Sequence, residues 1–459
     1  MILGTVFAQF VRESPISVMF RGAMERALDA NALDQLFTAN AERQYTRTLL
    51  FSTVVDVMSL VVCQIRPSVN AAYQALQESI GVSVKALYDK LDHLEPNISA
   101  ALVRHSADQL LPVLRQLQGG VKPLLPGYRV RILDGNHLGA TEHRLKELRS
   151  LAAGALPGQT LAVLDPQWML ITDVIPEEDG HAQERSLLPQ VLDLVAAKDV
   201  WVGDRNFCTS DFLFGLQARK AYYIIRQHAA NVPWKPVGRR RPQGRCDSGK
   251  LYEQKVELRD AQGNWSRARR ITLQLDQPTR DGDWEIHIFT NLPKRVANAK
   301  QIATIYRKRW GVEIAFGELT TTLECEIDTL AYPKAALFAF CVAVVAYNIL
   351  SLVKGALRSV HGADPIEAEL SPYYVADEVA GTYRGMMIAI PEKHWHVFAM
   401  MSVRELATVL KALARNVQMA AFRKHPRGPK KPPNKKHYNK REPHVSTARI
   451  LARRAILSK

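Results

Sequence analysis

Two short runs, Val130-Arg-Ile132-Leu-Asp134 and Val200-Trp-Val202-Gly-Asp204, constrain this chain more than any other feature. Both have the form V-x-[IV]-x-D. Side chains in a strand alternate between faces with period two, so each Asp stands on the side of its own Val and Ile or Val, at the strand's end. One such acid is commonplace, because Asp forms turns and caps helices. Two of them on adjacent strands bring two carboxylates to one sheet edge, where they repel unless a cation or a shared proton joins them. The pair predicts a sheet whose edge gathers charge.

The flanking pattern supplies such a sheet. From Gly127, YRVRILDG, TLAVLDP and WMLITDVIP read as three successive strands. HAQERSLLPQVLDLVAAKD then reads as a helix, VWVGD as a strand, TSDFLFGLQARK as a second helix and AYYIIRQ as a strand. This order predicts an α/β layer with a mixed sheet. Between 229 and 297 the chain becomes basic and turn-rich, and KLYEQKVELRD, SRARRITLQLD and WEIHIFTNLP alternate as antiparallel strands of a β-rich insertion. NAKQIATIYRKRWGVEIAFGELTTTLE reads as one long helix. At about 100° per residue, Tyr306, Arg309, Glu313 and position 320 fall within about 60° of one another on it. A carboxylate can complete a metal cage and a guanidinium can grip a phosphate with two bonds, as phosphate cleavage requires. Alone, the helix reads equally as amphipathic with a solvated polar face.

Residues 1–125 read as helical. VSVKALYDKLDHL, residues 82–94, fits either the second helix of a helix-turn-helix or a plain amphipathic helix. LFAFCVAVVAYNILSLV, 337–353, sits at the lower length limit for a membrane span and contains Asn348 and Ser351; it reads as a core helix, with no membrane role. The first residues lack the basic n-region of a secretion signal, and the five cysteines form no C-x-x-C pair, so a reducing cytoplasm is expected. The chain has 61 Lys and Arg against 45 Asp and Glu, a net +16. From Arg423 to Lys459 there are 13 Lys or Arg and one acid, Glu442, a net +12. The proline content of RKHPRGPKKPPNKKHYNKRE predicts a disordered tail. Its lysines, Lys430, Lys431, Lys435 and Lys436 among them, predict contact with nucleic acid through release of condensed counterions.

Asp134 in ILDGNHL, Asp204 in VGDRNF and Glu313 in YRKRWGVE resemble the DDE transposases of bacterial insertion sequences. The resemblance spans roughly residues 125–350 and is nearest to the cut-and-paste group with a Tyr-x-x-Arg-x-x-x-Glu-x-x-x-x-x-x-Lys signature, matched at Tyr306, Arg309 and Glu313. It implies an α/β fold with a ribonuclease H-like mixed-sheet core in two parts, 126–228 and 298–355, around the insertion at 229–297. A helical amino-terminal region for DNA binding, 1–125, a helical region at 356–422 and the basic tail at 423–459 complete the expected organisation. The resemblance makes Asp134, Asp204 and Glu313 catalytic residues and metal ligands, for two Mg²⁺ or Mn²⁺ ions about 3.5–4 Å apart. Its implied partners are double-stranded DNA, both element ends and target, bound by a homodimer in a synaptic complex. Tyr306 and Arg309 would face that DNA. Where the signature has lysine this chain has Thr320, so one backbone contact is altered.

Trp284 could stack on a flipped base, as an insertion-domain Trp does in the hairpin-forming subgroup, or fill a cross-strand core. Arg239, Arg240, Arg241 and Arg245 face DNA or line a solvated loop. His181 and Glu184 have helical spacing, but without a third ligand Glu184 reads as a helix-start residue rather than a zinc ligand. Two other functions compete with transposition. A catalytically silent DNA-binding regulator or domesticated copy is consistent with Thr320 but not with three intact acids. A structure-specific nuclease would share the core, but the basic tail and helical amino-terminal region suit synapsis of long DNA better.

Overall fold

The computed structural model describes residues 3–44, 46, 48–279, 282–425 and 444–457. Its strands are β1 (Arg129–His137), β2 (Ala155–Leu156), β3 (Gln159–Asp165), β4 (Leu170–Glu177), β5 (Asp199–Gly203), β6 (Tyr222–Arg226), β7 (Trp234–Pro236), β8 (Arg241–Cys246), β9 (Gly249–Arg259), β10 (Trp265–Leu275), β11 (Glu285–Thr290) and β12 (Val445–Ser446). Ten of them form one mixed sheet in the order β4-β3-β1-β5-β6-β11-β10-β9-β7, with β8 on β9. β1, β5 and β6 run parallel at its centre, and antiparallel pairs extend it on both sides. The strands from 229–297 are therefore a continuation of the central sheet.

Period-two alternation puts the sheet between two cores. Val130, Ile132, Val200 and Val202 join the larger core with the helices before β1 and after β11. Leu133, Trp201, Tyr223 and Phe289 face a second core under the helix Ser210–Ala218. Burial on both faces explains the apolar runs Ile132-Leu133 of β1 and Val200-Trp201-Val202 of β5.

The larger core is organised by the helix Pro333–His361, in which residues 335–353 are all buried inside the protein. It is long and apolar enough to cross a membrane, but it is enclosed by other helices and the sheet. Asn348 shows what that packing requires. Its amide accepts from Ile171 N–H (2.9 Å) and donates to Ile171 O (2.8 Å), bonding to the outer strand β4 where no further strand does. A buried amide satisfied in this way costs little, whereas an unpaired one would cost about 1–3 kcal/mol.

Three elements differ from the sequence reading. The helix expected over 181–199 is a 3-10 turn, Glu184–Leu187, followed by a short helix, Leu188–Asp193. Pro189 lies in the first turn of that helix, where its missing N–H costs least, which favours a start close to it. The long helix expected after residue 298 is two, Ala299–Arg307 and Trp310–Thr322. At the joint, Arg309 N–H bonds Tyr306 O and Val312 N–H bonds Arg309 O, a three-residue spacing that tightens the turn. Finally, of the tail expected to be disordered, residues 426–443 lie outside the described residues, and its end, 444–457, packs on the body of the protein. β12 pairs with β2, Ile450 and Leu451 pack on Leu145, Leu148 and Ala331, and Arg449 pairs with Asp179 at 2.7 Å. Val445, Ile450 and Leu451 give this end apolar surface to bury.

Candidate active site

The parallel register of β1 and β5 sets Ile132 against Val202. Two residues further on, Asp134 and Asp204 continue toward the same sheet edge. Asp134 is still within β1, and Asp204 follows β5 and caps the 3-10 turn Arg205–Phe207, accepting from Arg205 N–H at 2.6 Å. The third acid comes from the joint between the two helices. Arg309 donates through Nη1 to Asp134 (2.8 Å) and through Nη2 to Glu313 (2.8 Å). Arg309 thus ties an acid of the sheet to an acid one turn along its own helix.

The charges are unevenly exposed. The side chains of Asp134 and Arg309 are 16% and 11% exposed, that of Glu313 49%. Burial pushes the Asp134 carboxyl up to about 7, against the pull of Arg309 and of the Gly135 N–H, and the charges of Glu313 and Glu184 push it the same way. Burial opposes the charge on Arg309, but Asp134, Tyr306, Asp204 and Glu313 outweigh it and its pKa is raised. Burial and the nearby Asp204 charge push the Tyr306 phenol up to about 12. Tyr306, Arg309, Asp134, Asp204 and Glu313 therefore share one electrostatic environment.

Their carboxylates offer only oxygen donors, which suits a hard divalent cation such as Mg²⁺ or Mn²⁺. Among the described residues no group of three or more His, Cys, Asp or Glu is drawn together closely enough to hold a metal ion. Arg309, bonded to two of the acids, supplies the neutralising charge. The donor set fits divalent ions provided Arg309 releases Asp134 and Glu313.

The remaining expected residues are placed differently. Thr320 is exposed on the Glu313 helix, but its hydroxyl donates back to Phe316 O and Gly317 O, both at 3.2 Å. Trp284 is 59% exposed beside β11, so it does not fill a cross-strand core. It follows Asp283, which pairs with Arg226 of β6 at 2.5 Å. Arg226 in turn acts on Tyr306. Arg239 and Arg241 are exposed; Arg240 pairs with Glu285 at 2.7 Å, over the Tyr252 ring, and Arg245 pairs with Asp276 at 2.7 Å. Lys430, Lys431, Lys435 and Lys436 lie outside the described residues. His181 is exposed. Glu184 accepts from Asn206 Nδ2 at 2.5 Å and abuts Gly135. The sequence reads Glu184 as a helix-start residue; its contacts with Asn206 and Gly135 do not follow from spacing along the chain.

Residues 125–349 match the family model of the transposase DDE domain. Among curated proteins, the transposase for insertion sequence element IS421 of Escherichia coli is 23% identical over 244 residues, as is transposase InsL of insertion sequence element IS186A of E. coli strain K12. Each match covers 46% of this chain and 62% of the relative, so the chain spans less than two thirds of the length of either. Among solved structures, a piggyBac transposase synaptic complex with hairpin DNA aligns over 84% of each chain at 10% identity and a TM-score of 0.41, a likeness that carries no argument. It is in residues 125–349, the segment holding Asp134, Asp204 and Glu313, that this chain is similar to the transposase DDE domain.

Proposed function

We propose that the chain is the transposase of an insertion sequence, with a ribonuclease H-like core. It binds the ends of a mobile element, cleaves DNA by metal-dependent phosphoryl transfer and joins the 3′ ends to target DNA, acting as a homodimer in the synaptic complex. The observation that carries this reading is the meeting of Arg309 with Asp134 and Glu313 beside the end of β5, within a segment that matches a transposase DDE domain. The names of the relatives, transposases of insertion sequence elements, point the same way.

In this reading Asp134, Asp204 and Glu313 hold divalent ions, which when bound activate the attacking water or 3′-hydroxyl and stabilise the leaving oxygen. Arg309 releases its two acids and grips a backbone phosphate with its planar fork. Tyr306, whose phenol stays protonated, can donate to a phosphate oxygen. Trp284 offers an exposed ring to a base, and Arg239 and Arg241 add positive charge near the strand ends. Lys430, Lys431, Lys435 and Lys436 contact the backbone of longer DNA.

The test is Mg²⁺-dependent nicking of labelled duplexes carrying the DNA that flanks the gene, compared with scrambled duplexes. Nicking at a defined position in inverted repeats is expected. Tight binding to those ends with no nicking in Mg²⁺ or Mn²⁺ would instead identify a silent regulator.

A further inference from the structure

The hydrogen-bonded ladder between β1 and β5 ends at Ile132 and Val202. Beyond it, no backbone pairing between these strands fixes the distance from Asp134 to Asp204. Glu184 spans that gap from a third element. Its Oε2 accepts from Asn206, two residues after Asp204, at 2.5 Å. The same carboxylate fills the space that a Cβ on Gly135, the residue after Asp134, would occupy. Gly135 is not among the glycines with positive φ, so its lack of a side chain answers to Glu184 and not to its own backbone. Leu187 and Leu188, buried under the second core, anchor the turn that carries Glu184.

We propose that Glu184 is a positioning residue that sets the approach of the Asp134 and Asp204 loops, through its bond to Asn206 and its contact with Gly135. The role rests on the reading of those aspartates as metal ligands. It requires an acceptor of the right length at 184, rather than a charge. Gln keeps that acceptor and Ala does not. An Ala at 135 would push the carboxylate aside without altering any acid.

The experiment measures Mn²⁺ binding to the full chain, without DNA, from the EPR signal of free Mn²⁺, with thermal unfolding recorded for each variant. Glu184→Ala should weaken binding about tenfold, as loss of a ligand's outer support generally does. Glu184→Gln should stay within about threefold of wild type, because the neutral acceptor remains. Gly135→Ala should weaken binding as much as Glu184→Ala, and the double variant no more than either alone, since both act on one contact. If Gly135→Ala does not fold, the Gln and Ala variants at 184 decide the matter. Wild-type binding by Glu184→Ala overturns the proposal. So does a Gln variant as weak as Ala, which would make Glu184 a ligand. Asp134→Asn separates the levels: if it binds Mn²⁺ like wild type, the reading of the whole site falls and this proposal with it. If it loses binding while Glu184→Ala does not, only this proposal falls.

Discussion

β1 and β5 carry charge at both ends, and the two ends are built differently. Where the strands begin, Asp199 is 1% exposed and accepts from Arg129 Nε (2.7 Å) and Nη2 (2.8 Å) and from Ala196 N–H (2.9 Å). Asp199 and Arg129 are each other's dedicated partners there, and the third contact comes from the adjoining turn. Where the strands finish, three acids from three places in the sequence, Asp134, Asp204 and Glu313, act on Arg309, a fourth, Glu184, acts on Asp134, and Glu313 is half exposed. The first arrangement is complete. The second has more negative charge than one guanidinium can neutralise and is open to solvent, so it can accept a cation from outside. Buried charge alone does not distinguish a site from a structural ion pair; an excess of one sign from separate elements does.

The sharpest contrast between the ends is in cleavage. Asp134→Asn, Asp204→Asn and Glu313→Gln should each lower Mg²⁺-dependent nicking by about a thousandfold or more while leaving DNA binding largely intact, as loss of a metal ligand acts on chemistry. Asp199→Asn should nick at close to the wild-type rate per folded molecule. Equal losses at both ends would erase the distinction.

Stability should show the reverse order. Asp199→Ala leaves Arg129 without its carboxylate, and because Arg129 is 43% exposed the cost should be roughly 2 kcal/mol, below that of a fully buried pair. Urea denaturation in the absence of divalent ions measures it. A cost near zero would mean that the paired end is no more structural than the open one.

Stability should also depend on pH. The folded Asp134 carboxyl sits at about 7, above its unfolded value, so ionisation favours the unfolded chain. This group's contribution makes wild-type stability fall as pH rises from about 4 through 7, and the penalty is fully present above that. Asp134→Asn removes it. The variant should gain stability relative to wild type between pH 4 and pH 8 without metal, by up to about 4 kcal/mol. A gap independent of pH would show that Asp134 does not titrate in this window.

What was legible in the sequence follows the same division. The V-x-[IV]-x-D runs exposed β1 and β5 because period two is a local property, and the register then aligned Asp134 with Asp204. The Tyr306–Arg309–Glu313 spacing was legible for the same reason, although the tight turn at Lys308–Arg309 was not, since its one breaker, Gly311, is tolerated within a helical pattern. Glu184 was legible as a residue at a helix start, but its place beside the aspartates was not, because Gly135 and Asn206 reach it only through the fold. The end of the tail was misread because the Lys and Pro content before it dominated a stretch whose Val445, Ile450 and Leu451 pack on the protein.

That correction changes how the basic segment is tested. Deleting residues 423–459 would strip β12 from β2, so the lysines alone should be changed. Replacing Lys430, Lys431, Lys435 and Lys436 with Gln should weaken DNA binding about uniformly across sequences. It should also reduce the slope of log K against log salt by up to about 3–4. An unchanged slope would remove these lysines from the DNA interface.

The most direct test places sulfur at the phosphate where the proposed reaction would nick the DNA. If Asp134, Asp204 and Glu313 hold a divalent ion against that phosphate, replacing a non-bridging oxygen with sulfur should slow nicking about tenfold or more in Mg²⁺, and Mn²⁺, the softer ion, should restore it. Nicking in Mg²⁺ indifferent to sulfur at either non-bridging position, or nicking that persists in EDTA, would contradict the account.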